Sequence, residues 1–483
     1  MNAASKPAIL LAYPSFLSGA EWSGRDEVKA SQLILASYLA EHFPVEYVDF
    51  EIEIGRPVSP VQIRRFERKV REFLENRDYD ILGISCWTSL SYKASMTIAN
   101  IAREVHPKRL IVAGGYHPTA RPEDFQTPDN LVDYVIQGEG EIAFKEIADA
   151  FPVAGRPPQT KIIAGPPLQP EQFVGVKWDL VDDMLRSRFS GGIGTLCIYL
   201  SRGCPFECAF CMEALKDHTW RPYSVEQAIE QVRIPMERYK VIALAFGDAV
   251  LGVQPTWRKE FFRRLVELGP QSWIFLETRP DFLDEEDIKM LSKLKVEIQF
   301  GVESCSPEML RIMNKTRQPE KFLARFREVS HILSDYGVVH GANLIFNHPG
   351  ETRQTLEETF AFVDAESARK DSSLIWASHG YLHFPGNEID RNQVFYEQKY
   401  GTRFLSPDWW KGEDDPLVAS RNIIPSRDLE EGEGITLWKK MFGERQQQLK
   451  DCLTPKAFRL AAETYFPDWR LDSRYDEAEE GNR

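Results

Sequence analysis

Cysteine is scarce in this chain: seven residues in 483. They are too few, and too unevenly spread, for a disulfide framework. No apolar run reaches the ~20 residues a membrane-spanning helix needs, so no membrane span is expected. The opening "MNAASKPAILLAYPSF" has a short apolar run and no clear cleavage pattern, unlike a secretory signal. A cytoplasmic protein with reduced thiols is the expectation. Positive charge is outnumbered, with 59 Lys and Arg against 73 Asp and Glu, a net of −14. That balance gives no strong nucleic-acid signal, though a local basic channel is compatible with it. G-x-x-x-x-G-K-[ST] is missing, and no G-x-G-x-x-G opens a helix after the first strand, which weakens the ordinary nucleotide readings. What remains is an ordinary globular composition, 43% hydrophobic, with length for two to four domains.

Apolar strand-like runs alternate with helical spacing from the start. Strands are expected at 8–14, 45–51, 80–87, 109–117 and 132–141, with helices at 26–43, 59–76, 91–106 and 143–151. Ser59 and Pro60 form a helix start. Five strands interleaved with helices predict a doubly wound, parallel α/β sheet, whose ligands sit beyond the carboxyl ends of the strands. Those ends read "YPSFLSGAEWSG", "SCWTSLS", "GGYHPT" and "GEGE". Any single glycine there can serve a tight turn. Four small-residue loops at one edge favour a ligand approached by backbone. The proline-rich stretch 153–173 breaks the pattern. The expected domains are 1–152, a linker 153–190, a second domain 191–410, and a small, mostly helical region 411–483 ending in a frayed acidic tail.

Three of the seven cysteines fall within eight residues, in "YLSRGCPFECAFCMEAL" (199–215). Cys204, Cys208 and Cys211 have the spacing C-x-x-x-C-x-x-C. Three thiolates can hold three irons of a cubane cluster and leave the fourth open. Zinc is the competing reading, but structural zinc needs four ligands. No second C-x-x-C follows, and His218 is the only nearby candidate fourth ligand. Downstream, five further strand and helix pairs follow the first strand at 195–201. The strands are expected at 241–252, 272–280, 296–304, 338–351 and 374–389. Six such units fit a partial barrel with its active face at the loops. Cys86, Cys197 and Cys452 read as buried thiols, and Trp409 and Trp410 as core or lid.

The cysteine spacing, with Phe210 before the last cysteine, resembles the radical S-adenosylmethionine (SAM) superfamily. "QFGVESCSPEMLRIMNK", "LIFNHPGET" and "HFPGNEI" resemble that family's later segments, with Asn347 and Cys305 where glycine is usual. Residues 8–151, with "GGYHPT" followed by "GEGE", resemble the cobalamin-binding domain found ahead of many such enzymes. The resemblance implies a Rossmann-like cobalamin-binding domain, then a partial (β/α)6 radical SAM barrel. It implies three cofactors: a [4Fe–4S] cluster, SAM chelating the open iron, and cobalamin. One electron would cleave SAM reductively and release a deoxyadenosyl radical.

Residue by residue, the resemblance places Cys204, Cys208 and Cys211 on the cluster. Phe210, Asp248, Arg279, Glu303 and Ser304 fall to SAM. Asp248 reads otherwise as a helix cap, and Arg279 as a partner of Asp281. Ser85, Trp87, Thr88, Gly114, Gly115, His117, Thr119, Gly138, Glu139 and Gly140 fall to cobalamin. The family's D-x-H-x-x-G is missing after the first strand, so no histidine from that loop is expected beneath cobalt. His117 could substitute, or could simply build a His–Pro turn. The implied function is methyl transfer to an unactivated carbon, or phosphorus, of a small-molecule or peptide substrate. An external one-electron donor such as flavodoxin or ferredoxin is implied as partner. Rearrangement, cyclisation or dehydration without methyl transfer is the first alternative, and a non-catalytic metal-binding scaffold the second.

Overall fold

The computed structural model describes residues 6–17, 27–29, 31–57, 59–215 and 218–464. The second half of the first loop (18–26) and the acidic tail lie outside the described residues. The first domain is a parallel sheet. Its strands are β1 (Ile9–Tyr13), β3 (Val45–Asp49), β4 (Ile81–Ser85), β5 (Leu110–Gly114), β6 (Tyr134–Gly138) and β7 (Lys161–Gly165), after β2 (Glu27–Lys29), which pairs elsewhere. Their order is β3-β1-β4-β5-β6-β7. Every residue of β1 is buried, as a parallel strand covered on both faces requires. Helix Pro60–Glu75 shows how the flanking layer forms. Ser59 caps it by accepting from the Gln62 amide, Pro60 enters its first turn, and Phe66, Val70 and Leu74 turn inward, at the helical period.

Two elements differ from expectation. β7 lies within the stretch read as linker and adds a sixth strand beside β6, Tyr134 to Gly138 pairing with Lys161 to Gly165. The prolines around it hide a five-residue strand with only "KIIAG" to announce it. The second difference is β2. It falls inside the run read as helix 26–43, of which only Ser31–Leu39 is helical. β2 leaves the first sheet altogether and pairs in parallel with the barrel's first strand, Val28 opposite Leu196.

The second sheet holds β8 (Ile193–Ile198), β11 (Val241–Phe246), β12 (Trp273–Thr278), β13 (Val296–Glu303), β14 (Val339–Phe346) and β15 (Leu374–Gly380). All six are parallel, in sequence order, with β2 on the outside of β8. Between β8 and β11 a short antiparallel pair, β9 (Ser201–Arg202) and β10 (Arg221–Pro222), frames the cysteine loop. One hydrophobic core runs from Ile9 and Leu11 of the first sheet through Leu196 and Phe246 of the barrel to Phe458 near the end. The two domains are thus packed as one body. Helices Glu433–Cys452 and Pro455–Thr464 close the C-terminal region. Trp409 and Trp410 are 2% and 1% exposed, part of a core rather than an open platform.

Candidate active site

The carboxyl edge of the first sheet faces the mouth of the barrel, and between them lies a cavity of about 260 Å³. Its first-domain wall includes Ser85, Trp87, Gly114, Gly115, Gly138, Glu139 and Gly140; its barrel wall includes Tyr199, Ser201, Arg202, Gly203 and Gly247. The glycines build this wall in different ways. A Cβ on Gly114 would meet no atom within 4 Å and would simply occupy the cavity. Gly115 has φ +118°, and a Cβ there would lie 2.4 Å from the Cys86 carbonyl oxygen. Only glycine tolerates that turn. A flat ring approaching Gly114 meets backbone with no side chain in the way, so the wall fits a corrin.

Three residues assigned to cobalamin by resemblance do not line the cavity. His117 is fully buried. Its Nδ1 is 2.7 Å from Ser89 Oγ and its Nε2 is 3.2 Å from Asp124 Oδ2. Trp410 and Lys411 reach the same Asp124 carboxylate. Both ring nitrogens are therefore engaged, and His117 serves to fasten the C-terminal region to the first domain. Burial lowers its pKa against the pull of Asp124. The Thr119 hydroxyl donates to Gly115 O and accepts from the Gly138 amide, bracing two loops of the wall. Thr88 caps the short helical turn after β4.

Glu139 does line the cavity, but its carboxylate is already occupied. It pairs with Arg202 at 2.8 Å and with Arg221, and accepts from the Leu168 amide at 2.9 Å. Arg202 also pairs with Glu141 at 2.8 Å, and its guanidinium lies 4.6 Å from the Phe173 ring. Burial alone would raise the Glu139 pKa; the two guanidiniums overcome it and hold the carboxyl below its ordinary range. This network ties the sheet edge to the strand pair that frames the cysteines.

The cysteine loop begins one residue after Gly203 of the cavity wall. Cys204 and Cys208 are 9% exposed, and Cys211 is half-buried. The loop backbone is pinned by three hydrogen bonds from two segments, the turn 313–314 and Asn387. Ala209 N donates to Met313 O at 2.9 Å, Asn314 Nδ2 to Glu207 O at 2.7 Å, and Asn387 Nδ2 to Phe210 O at 3.0 Å. Burial pushes the Cys211 thiol up to about 12, and Cys208 and Cys204 add to the shift. Burial raises the Cys204 thiol as well, and a cationic centre deprotonates the sulfurs it binds. Among the described residues no three His, Cys, Asp or Glu side chains are placed to close on a single ion. His218 is exposed and sits 3.9 Å from Glu207. Three thiols of one loop match a cubane, whose ligands are spread over three irons, and His218, the candidate fourth zinc ligand, faces Glu207.

The residues assigned to SAM lie around that loop but not in one shared role. Glu303 ends β13 at a register shift, with φ +71°. Such strain in a non-glycine residue gathers at functional sites. Its Oε1 is 3.0 Å from Lys315 Nζ, and both are buried. Ser304 is within 3.1 Å of Thr359 Oγ1. Arg279 is clamped on Asp281 at 2.9 Å and 3.0 Å, donates to Lys315 O, and lies 4.1 Å from the Phe206 ring. It holds the segments flanking the cluster loop. Asp248 accepts from the Leu200 amide and the Ser201 hydroxyl. Burial raises its pKa to about 7. It fastens the end of β11 to the start of the cysteine loop. Phe210 packs edge-on to His348, ring centres 6.0 Å apart.

Sequence reasoning missed several residues here. Arg202 stands two positions before Cys204, and its place in that turn could have flagged it. Lys315 ends the family-like segment 299–315 without standing out in it, and Arg221 carries no signal. On β12 Ile274, Leu276 and Thr278 are buried, while Glu277 between them is exposed.

Comparison with known proteins agrees with this geometry. The family model described as the radical SAM superfamily matches residues 198–363, and the B12 binding domain matches residues 24–148. The chain is a radical SAM protein carrying a B12 binding domain. Its cofactors follow from those domains: a [4Fe–4S] cluster, SAM and cobalamin. An uncharacterized methyltransferase of Pyrococcus horikoshii is 27% identical over 316 residues, 61% of this chain and 66% of that protein. An anaerobic magnesium-protoporphyrin IX monomethyl ester cyclase of Rubrivivax gelatinosus is 25% identical over 375 residues, 71% of this chain and 64% of that one. The chain thus spans just under two thirds of the length of these relatives. A solved structure of the radical SAM methyltransferase TsrM from Kitasatospora setae, with cobalamin and a [4Fe–4S] cluster bound, has the same fold. Its TM-score is 0.65 at 16% identity, covering 97% of this chain and 98% of that one. No described helix is long and apolar enough to cross a membrane.

Proposed function

We propose that this chain is a cobalamin-dependent radical SAM methyltransferase acting on an unactivated carbon, or phosphorus, of a small-molecule or peptide substrate. The observation that carries this is the shared cavity: its one wall is the glycine edge of the B12 binding domain, and its other is the barrel strand that leads into Cys204. When bound, the cluster and SAM supply radical chemistry and the corrinoid supplies methyl transfer. The chain's own part is placement. Cys204, Cys208 and Cys211 hold the cluster, and the hydrogen bonds at Glu207, Ala209 and Phe210 fix their loop. Gly114 and Gly115 let a flat ring approach, with Trp87 beside it. The Glu139–Arg202–Arg221 network fixes the distance between the two walls, and small misplacements in such a site cost rate steeply. The first loop contains no histidine, and both ring nitrogens of His117 are engaged by Ser89 and Asp124, so neither would offer an imidazole to a bound corrinoid.

The partners of this reaction are the substrate and a one-electron donor, and the compartment is the cytoplasm. The test is product analysis with SAM deuterated on its methyl group, using compounds made in the organism of origin as candidate substrates. Intact transfer of the labelled methyl, with deoxyadenosine and S-adenosylhomocysteine in equal amounts, is the expected result. Deoxyadenosine without S-adenosylhomocysteine would reject methyl transfer and favour ring closure or rearrangement, the chemistry suggested by the cyclase relative.

A further inference from the structure

The cluster loop lies directly beneath one exposed face of the protein. Helix Gln393–Tyr400 and the turn Glu388–Arg391 cover it. Ile389 N donates to Ala209 O at 3.3 Å. Tyr396, with Ile389, packs in one small core with Ala209, Met309 and Met313, and Phe210 borders it. So on this side a single helix, about 10 Å across, separates the loop's backbone from solvent, while Pro205 and Glu207 of the same loop reach the surface on another.

The outer side of that helix is unusual. Val394 and Phe395 are adjacent large apolar residues, 62% and 48% exposed. Lys399 sits with its ammonium 5.1 Å from the Phe395 ring. Arg391, Arg403 and Arg427 stand in the same turn-helix-strand unit. Arg427 lies across Gly401 and donates to Lys399 O at 2.9 Å and to Gln398 O, capping the helix. Arg391, Lys399 and Arg403 are exposed. None of these four cations pairs with a carboxylate among the described residues. Glu388, Asp390 and Glu397 are the acidic groups on the same helices; Glu388 already accepts from the Tyr396 hydroxyl at 2.7 Å, and Asp390 is buried and paired with Arg121. On a chain of net charge −14, an approaching acidic protein is repelled over most of the surface. A local cationic rim around an apolar centre reverses that preference at one spot.

We infer that the face formed by Val394, Phe395, Arg391, Lys399 and Arg403 is the docking surface for a small acidic protein that carries one electron at low potential. The carrier is oxidised by one electron, which passes inward to the cluster held beneath the helix. This rests on the proposed function, since only a reductively driven reaction needs such a partner here. Charge complementarity and the short path to the cluster loop select this occupant over a second copy of the chain, which shares the −14 charge and carries the same cationic rim.

The experiment uses the anaerobically purified full-length protein, with flavodoxin as probe. Binding is measured by calorimetry at two salt concentrations, and cluster reduction by stopped-flow absorbance with either reduced flavodoxin or titanium(III) citrate. The variants are K399E/R403E and, separately, F395D. The charge reversal is expected to weaken flavodoxin binding about tenfold or more and to remove most of its salt dependence. Reduction by flavodoxin should slow by a similar factor, while reduction by titanium citrate stays unchanged. F395D should act the same way. Wild-type binding and reduction rates retained in both variants would overturn the proposal. So would a dimer, seen by sedimentation, that F395D dissolves. Because titanium citrate bypasses the surface, failure to form deoxyadenosine with it in the wild type would count against the proposed function instead.

Discussion

The two walls of the cavity are made of different material. The first-domain wall is largely backbone, with Gly114 open to the cavity and Gly115, Gly138 and Gly140 in turns where an added Cβ would meet Cys86, Gly165 and Leu35. The barrel wall leads into side-chain chemistry, with three thiols, a strained carboxylate at Glu303 and a buried ammonium at Lys315. A backbone wall recognises shape and can be ruined by adding a single methyl group. A side-chain wall recognises charge and electrons and is ruined by removing atoms. The two walls should therefore fail in opposite ways.

The largest effect is expected on the barrel side. Replacing Cys204, Cys208 and Cys211 together by Ala should remove cluster absorption and iron and reduce SAM cleavage to background. Corrinoid retention should survive, since the other wall is untouched. Next comes the clamp between the walls. Glu139→Ala leaves Arg221, which is 5% exposed in its side chain, buried without its main partner. Removing one member of a buried ion pair costs about 3–5 kcal/mol, measurable as a lower urea midpoint. The Glu139 pKa lies below its unfolded value, so its stabilisation is present above the ordinary carboxylate pKa. It is lost as pH falls through the lower folded value. The variant should differ least from wild type in acid.

On the glycine side the comparison sharpens into a pair. Gly115→Ala forces a left-handed backbone on a residue with a Cβ and drives that carbon into Cys86 O, so it should cost at least about 1–3 kcal/mol. Gly114→Val has room. It should leave the urea midpoint almost unchanged yet displace the corrinoid, read from its absorbance after gel filtration. The smallest effect concerns Glu351, buried behind the cluster loop and accepting from the Asn347 amide at 2.6 Å. Burial raises its pKa from 4.5 to about 8. Between those values the folded state holds a proton that the unfolded chain has lost, so stability falls as pH rises through that window. Glu351→Gln keeps the acceptor and removes the slope. It should match wild type within ~0.5 kcal/mol in acid and exceed it at mildly alkaline pH, as urea midpoints across pH would report.

The same contrast explains what was legible in the sequence. Thiols at fixed spacing have few other uses, so Cys204, Cys208 and Cys211 announced their chemistry, and six barrel strands followed from apolar runs at regular intervals. Glycines at strand ends announced a ligand edge but not which residues face it. Thr88, Thr119 and His117 sit in the right loops and turn elsewhere: Thr88 accepts from the Leu90 amide, Thr119 donates to Gly115 O, and His117 reaches Ser89 and Asp124. β2 was read as helix because three residues set no period. Its pairing with β8 is a tertiary choice that local propensity cannot report. Arg221, Lys315 and Trp410 act across long stretches of chain, and no local pattern marks such partners.

The central claim is that one chain holds a cluster and a corrinoid on facing walls. It is tested most directly by measuring iron, sulfide and corrinoid together after anaerobic reconstitution of three proteins: wild type, the triple cysteine variant and Gly114→Val. The account predicts both groups in the wild type, corrinoid alone in the cysteine variant and cluster alone in Gly114→Val. Wild-type protein that takes up the cluster and no corrinoid, or a corrinoid that Gly114→Val retains in full, would contradict it.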